Sequence, residues 1–258
     1  MSLAKGVRPT AVPAPDAPPS PSFQPLYLQL KDSLLHSLEA KQWQPGHAIP
    51  SAMELAAHFG VSAGTVRKAI DALVADNIVV RRQGKGTFVA THTEEKASMF
   101  RFLHIRRSDG RDEYPNSRLI DLRRGKASVE IARALEMKPA DSLFIIRRVL
   151  EYDGEPVVLD EISVSAQVFK GLTRAKLEAY PGSMYGFFET QFGVRMLNAR
   201  ERIRAIAADP AVAAILKVRT GEPLLAVERL ARTYGGRPVE WRRGLCATRH
   251  HYYFNELG

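Results

Sequence analysis

Residues 60–73 read Gly-Val-Ser-Ala-Gly-Thr-Val-Arg-Lys-Ala-Ile-Asp-Ala-Leu and combine a helix cap, an apolar stripe and two cations on the opposite side. Ser62 suits an N-cap, because its side-chain oxygen can accept from a backbone N–H that the first helical turn leaves unpaired. Val66, Ala69, Ile70 and Leu73 recur at i, i+3, i+4 and i+7, the spacing of one buried helical stripe. Ser62, Ala63, Gly64, Thr65, Arg67, Lys68 and Asp71 then face outward. Small Ala63 and Gly64 let the backbone N–H groups and the positive end of the helix dipole approach a phosphate, and Thr65, Arg67 and Lys68 add side-chain contacts. A second cationic group follows in Arg81-Arg-Gln-Gly-Lys-Gly86. Arg81, Arg82 and Lys85 suit phosphate neutralisation beside Gln83, while Gly84 and Gly86 allow close backbone approach. The Gly-Lys-Gly piece is not a nucleotide-binding loop, since no helix follows it.

The surrounding elements explain how those residues are positioned. Leu26, Tyr27, Leu30, Leu34 and Leu38 give an amphipathic first helix to about Ala40. Ser51-Ala-Met-Glu54 has the spacing of a capping box and opens a second helix that buries Leu55, Ala56 and Phe59, with Gly60 as its stop. After the third helix, Ile78–Arg82 and Thr87–Ala90 are two β-branched runs around a Gly-containing turn, which predicts a hairpin. Three helices followed by a hairpin form a winged helix-turn-helix, whose third helix enters the DNA major groove N-terminus first.

The 258 residues suffice for two domains, and a formal charge of +9 favours a polyanionic partner, either nucleic acid or an acidic membrane surface. One cysteine, Cys246, excludes an internal disulfide and fits a reducing cytoplasm; it reads as a small buried apolar residue rather than a nucleophile. No apolar run approaches the ~18 residues of a membrane helix, so a cytoplasmic location is expected. Residues 1–24, rich in Pro, Ala and Ser, are expected to form a disordered tail.

Residues 25–90 resemble the DNA-binding domain of GntR-family bacterial transcription regulators. The matching stretches are Pro-Leu-Tyr-Leu-Gln-Leu (25–30), Ile-Pro-Ser (49–51), Glu-Leu-Ala (54–56), Val-Ser (61–62), Thr-Val-Arg-Lys-Ala-Ile (65–70) and Arg-Gln-Gly-Lys-Gly-Thr-Phe-Val (82–89). The family commonly has Ser-Glu-Arg-Glu-Leu where this chain has Ser51-Ala-Met-Glu-Leu55, and Val-Ser-Arg where it has Val61-Ser-Ala63. Two arginines that the family uses on DNA are therefore replaced by Met53 and Ala63, which implies a different preferred sequence.

Beyond a polar connector at 91–102, the chain repeats itself. Ile-Ala-Arg-Ala-Leu (131–135), Leu-Phe-Ile-Ile-Arg-Arg (143–148) and Tyr-Asp-Gly-Glu-Pro (152–156) return as Val-Ala-Ala-Ile-Leu (212–216), Leu-Leu-Ala-Val-Glu-Arg (224–229) and Tyr-Gly-Gly-Arg-Pro (234–238). Each copy reads as helix, turn, strand, Gly-containing turn and strand, so an α+β domain with one antiparallel sheet is expected. Residues 103–254 resemble the UTRA effector domain of the HutC subfamily, whose fold is similar to chorismate lyase. The two repeat copies, Tyr180-Pro-Gly-Ser-Met-Tyr-Gly-Phe-Phe188 and Phe192-Gly-Val carry this resemblance.

That resemblance implies an effector site at Arg148, Asp160, Ser183, Tyr185 and Glu240. Arg148 and the helix start at Ser183 suit an anionic group, and Asp160 and Glu240 suit hydroxyls or amines. The alternative is that Arg148 simply pairs with Asp160 or Glu228 inside the sheet. Sugar-phosphate-sensing members often carry Arg-x-Arg where this chain has Arg148-Val-Leu150, and the family's late Tyr and Arg-Gly-Asp positions are replaced near Cys246. A carboxylate is therefore as good a candidate as a phosphosugar.

The expected function is a DNA-binding transcriptional regulator, a repressor acting as a homodimer on a palindromic operator and modulated by a small anionic metabolite. A chorismate-lyase-like enzyme and a nonspecific DNA-binding protein are the alternatives. His58, His104, His250 and His251 have no Cys or carboxylate at metal-ligand spacing, and no nucleophile–His arrangement stands out. No cofactor or metal is expected.

Overall fold

The computed structural model describes residues 24–93, 104–111 and 113–255. The expected tail at 1–24, apart from Gln24, lies outside the described residues, as does most of the 91–102 connector. The chain divides into two compact units, residues 1–91 and 92–258. Among the described residues, no helix is long and apolar enough to cross a membrane.

The first unit contains α1 (Leu26–Glu39), α2 (Ala52–Phe59), α3 (Ala63–Ala75), β1 (Val79–Arg82) and β2 (Gly86–Val89). Leu30, Leu34 and Leu38 of α1 are buried, as are Leu55 of α2 and Val66, Ala69, Ile70 and Leu73 of α3. The capping box forms in both directions: Glu54 N–H donates to Ser51 Oγ and Ser51 N–H to Glu54 Oε2. Gly60 ends α2 with a φ of 65°, in the left-handed region where glycine carries no Cβ penalty. Of the expected buried side chains on α2, Ala56 and Phe59 are only half-buried, since eight residues give this helix a narrow inward stripe. The segment before α2 also bonds along β2, from Gly46 N–H to Val89 O at 2.8 Å and from Ile49 N–H to Thr87 O at 2.9 Å.

The second unit is built on a six-stranded antiparallel sheet in the order β4-β5-β6-β9-β8-β7. Its strands are β4 (Asn116–Lys126), β5 (Ser142–Tyr152), β6 (Glu155–Ser165), β7 (Asn198–Ala207), β8 (Pro223–Arg232) and β9 (Pro238–Ala247). The internal repeat occupies both halves: β4, α4 (Val129–Ala134), β5 and β6 return as β7, α7 (Pro210–Leu216), β8 and β9, and the copies meet at the central β6–β9 pair. The edge strands β4 and β7 extend each copy beyond what the sequence pattern showed. Between the copies lie α5 (Arg174–Ala179) and α6 (Met184–Phe192).

Strand alternation gives the sheet two different faces. Apolar residues of α4 and α7 pack on one face, against Leu143, Ile145 and Trp241 and against Val149, Leu159 and Leu245 respectively. Between those patches the register aligns Asp121, Arg147, Glu161, Arg243, Glu228 and Arg202, alternating in sign across all six strands. A one-residue slip would bury this row, so it reinforces the register. On the other face, α6 sets Tyr185, Phe187 and Phe188 against Phe144, Ile146 and Ile162. A two-stranded strap, β3 (Ile105–Arg107) with β10 (His251–Tyr253), meets the same core as Leu150, Tyr152, Val158 and Cys246. Burial pushes the Cys246 thiol up to about 12, as expected for a packing residue rather than a nucleophile.

Two histidines of the strap region tie its stability to pH. Burial holds His104 below its ordinary value of 6.5, and burial followed by the nearby Arg107 does the same for His251. The unfolded chain therefore binds more protons than the folded one as pH drops below about 6.5. Stability should be retained above that value and decline toward pH 5. In thermal melts the replacement of both residues by Gln should flatten this decline, and an unchanged slope would contradict it.

Candidate functional site

In the first unit, the N-terminal turn of α3 and the β1–β2 turn carry the residues predicted to meet DNA. Ser62 Oγ accepts from Thr65 N–H at 3.1 Å and lies 2.9 Å from Thr65 Oγ1, so both hydroxyls serve the helix start. Gly64, Arg67 and Lys68 are exposed, while Ala63 and Thr65 are half-buried. A Cβ added at Gly64 would meet Ser62 Oγ at 3.6 Å, an ordinary contact, so folding does not require a glycine there. Gln83, Gly84 and Lys85 stand exposed at the hairpin turn, and Arg82 lies 4.6 Å above the Phe88 ring. Arg81 instead pairs with Asp71 at 2.5 Å, joining the hairpin to α3 and offsetting the carboxylate on its outer side. Met53, at the position where the resemblance implied an arginine, is 68% exposed.

In the second unit, four of the five expected effector residues converge on one sheet face. Arg148 of β5 stands opposite Asp160 of β6 and donates to its Oδ2 from Nε at 3.0 Å and from Nη2 at 2.9 Å. Arg242 of β9 donates to the same Oδ2 at 3.3 Å and to Glu240 at 2.8 and 3.1 Å. Tyr185 of α6 donates to Glu240 Oε1 at 2.9 Å, receives Arg229 Nη1 at 3.3 Å, and lies with its ring 5.2 Å beneath the Arg242 guanidinium. Arg229 Nε donates to Glu201 Oε1 at 2.6 Å, and the Tyr253 hydroxyl donates to the other Glu201 oxygen. Ser183 occupies a different position: its hydroxyl accepts from Gly186 N–H at 3.0 Å as the N-cap of α6.

The Arg148–Asp160 pairing that the sequence left as an alternative is therefore formed, whereas Glu228 lies on the opposite face, 3.6 Å from Arg204. Arg229, Arg242, Glu201 and Tyr253 were not picked out as site residues. The 81-residue repeat offset that pairs Arg148 with Arg229 was a signal for one of them; the others converge only through strand register. Three guanidiniums face three carboxylates, giving a neutral buried cluster. Burial pushes the Asp160 carboxyl up, but Arg242 and Arg148 outweigh it and hold it below its ordinary value. Burial followed by Glu240 raises Tyr185, which stays a neutral donor.

A cavity of about 50 Å³ opens beside the cluster, lined by Asp160, Arg229, Arg242, Gly244, His104 and Tyr253 among others. Gly244 keeps this space, since a Cβ there would sit 3.0 Å from Asp160 Oδ1. The arrangement can exchange charge partners with an anion.

Residues 26–89 match the family of bacterial regulatory proteins of gntR type, and residues 92–251 match the UTRA domain. The chain belongs to the GntR family. Its relatives include a probable fructoselysine utilization operon transcriptional repressor of Shigella flexneri, 30% identical over 227 residues that cover 87% of this chain and 91% of that protein. The histidine utilization repressor of Pseudomonas putida is 30% identical over 219 residues, 83% and 84% of the two chains. Among solved structures, the ligand-binding domain of a GntR-family transcriptional regulator from Bordetella bronchiseptica is 42% identical with a TM-score of 0.58, covering 61% of this chain and 98% of that one. This GntR-family chain thus joins a helix-turn-helix domain to a UTRA domain, and its family and relatives are transcriptional regulators rather than enzymes.

The neutral cluster makes a definite prediction. Asp160→Asn leaves one uncompensated guanidinium charge beneath the sheet face, and breaking a buried pair costs roughly 3–5 kcal/mol. Urea unfolding should show a loss of about that size. Added sulfate should raise the midpoint of the variant more than that of the wild type; equal shifts would mean the cluster does not act as an anion site.

Proposed function

We propose that this protein is a ligand-responsive transcriptional repressor that binds a palindromic operator as a homodimer. In this reading Ser62–Lys68 of α3 enter the major groove, and Arg82–Lys85 of the hairpin contact flanking phosphates. Ala63 and Gly64 bring the backbone close, and Arg67 and Lys68 supply the charged contacts. Two such units related by a two-fold axis would place their recognition helices one helical turn of DNA apart, or a multiple of it.

The effector is a small anionic metabolite bound among Arg148, Asp160, Tyr185 and Glu240, with the Ser183 helix start nearby. The observation that carries this reading is the buried, self-neutralised arginine cluster beside an open cavity. A ligand carboxylate entering there can take guanidiniums from Asp160 or Glu240, and freed carboxylates can then accept its amine or hydroxyl. Such an exchange binds one arrangement of the cluster better than the other, which is what shifting an equilibrium requires. Two relatives are named for the utilization of histidine and fructoselysine, compounds that each carry a carboxylate and an amine.

A thermal-shift screen of amino acids, organic acids and phosphosugars should find a compound that raises the melting temperature and alters affinity for the DNA upstream of the protein's own gene. Affinity indifferent to DNA sequence would sink this reading. Arg67→Ala should weaken operator binding by ~1–3 kcal/mol, and unchanged affinity would mean that another element reads the DNA.

A further inference from the structure

The first residue of the second unit is fastened behind the cluster. His92 is 6% exposed, although it lies in a stretch whose composition reads as polar connector. Its backbone N–H donates to Glu189 Oε2 of α6 at 2.6 Å, and its ring Nε2 lies 2.8 Å from Met196 O. Its ring centroid is 5.7 Å from that of Tyr185. Its carbonyl lies against Gly186, where an added Cβ would come within 3.2 Å of the oxygen. The backbone donor and the side chain of one residue are thus held by α6 and the segment just after it, and its carbonyl packs against the same helix.

The same α6 presents Tyr185 to the cluster. The hydroxyl reaches Glu240 and Arg229, and the ring lies under Arg242 and beside His92. A single side chain therefore touches both the charged groups and the residue that follows the last one of the first unit. No longer chain of contacts is needed to carry a change from one to the other.

We infer that Tyr185 and His92 form a clasp through which the arrangement of the arginine–carboxylate cluster sets how firmly the interdomain segment is held. The inference rests on the effector reading above and assigns it a route. When Glu240 or Arg229 takes another partner, Tyr185 loses the hydroxyl bonds that fix α6 beneath His92, and the segment at residues 91–93 opens more often. His92 acts here as a positioning residue and makes no contact with a ligand. Local opening is the quantity that both ends would bias, and coupling through it must be reciprocal.

The test needs neither ligand nor operator. Hydrogen exchange of the His92 amide is measured in the wild type, in Tyr185→Phe and in Glu240→Gln, with the amides of Leu224–Leu230 in β8 as the internal reference. Tyr185→Phe keeps the ring beside His92 but deletes the hydroxyl bonds, and Glu240→Gln alters their acceptor. In either variant, His92 exchange at least tenfold faster relative to β8 supports the clasp. Exchange at His92 that is unchanged, or that rises only in step with β8, in both variants overturns it. A failed ligand screen together with a coupled His92 would remove the effector reading and leave the clasp; a successful screen with uncoupled exchange would do the reverse.

Discussion

Three guanidiniums under the central strands can stay charged only if carboxylates and a hydroxyl surround them, because an uncompensated ion in an apolar interior costs several kcal/mol. Asp160, Glu201, Glu240 and Tyr185 meet that requirement for Arg148, Arg229 and Arg242, and much of the second unit is arranged around it. Arg229 and Arg242 stand directly opposite each other on β8 and β9, a like-charge pairing that would by itself destabilise the sheet. It is tolerated because Glu201 reaches Arg229 from β7 while Asp160 and Glu240 share Arg242. The edge strand, the strap tyrosine and the aromatic helix α6 all take part in keeping one charged cluster neutral.

In the proposed function a cluster of this kind serves switching rather than stability. Well-packed apolar side chains would hold the sheet face as firmly, often more so, whereas ion pairs can trade partners without loss of net charge. The small cavity beside Asp160 and the Gly244 that preserves it provide the opening at which such a trade can start. The side of the first unit proposed to face DNA follows the opposite logic: Arg67, Lys68 and Lys85 are exposed, Arg81 is exposed but paired with Asp71, and Ser62 caps the helix start.

What could be read in advance tracks the range of the interactions involved. The Ser51/Glu54 box, the Ser62 cap, the Gly60 stop and the buried stripe of α3 are fixed by residues three or four apart, and each was legible. The repeat was legible as well, because two copies of one pattern reinforce each other. Arg148, Asp160, Tyr185 and Glu240 were reached through family resemblance and do converge, while Ser183 stands at the helix start expected of it, with its hydroxyl on Gly186 N–H rather than on the cluster. Arg242 and Glu201 were not legible, since only the register across β7, β8 and β9 brings them together, and Tyr253 reaches them from the separate β3–β10 strap. The edge strands β4 and β7 were missed because frequent charges on an edge blur the alternation that marks a strand. His92 was hidden for the strongest reason: its partner Glu189 lies 97 residues away.

The internal repeat also bears on which side of the cluster the cavity lies. The cross-strand partners of the equivalent residues Arg148 and Arg229 are Asp160 and Arg242, so these two occupy equivalent places on the central strands. Across the β6–β9 pair, Asp160 faces Gly244 and Arg242 faces Ile162, again equivalent positions. One side of the pseudo-two-fold thus carries a short acid and a glycine, and the other a long cation and a branched apolar side chain. Ile162 is filled over by the aromatics of α6, while the Asp160–Gly244 side stays open. A symmetric scaffold with identical residues in both copies would have placed two like charges diagonally across its central strand pair. Divergence at these positions gives a complementary pair there and leaves the space toward the β3–β10 strap, on the side that α6 does not fill.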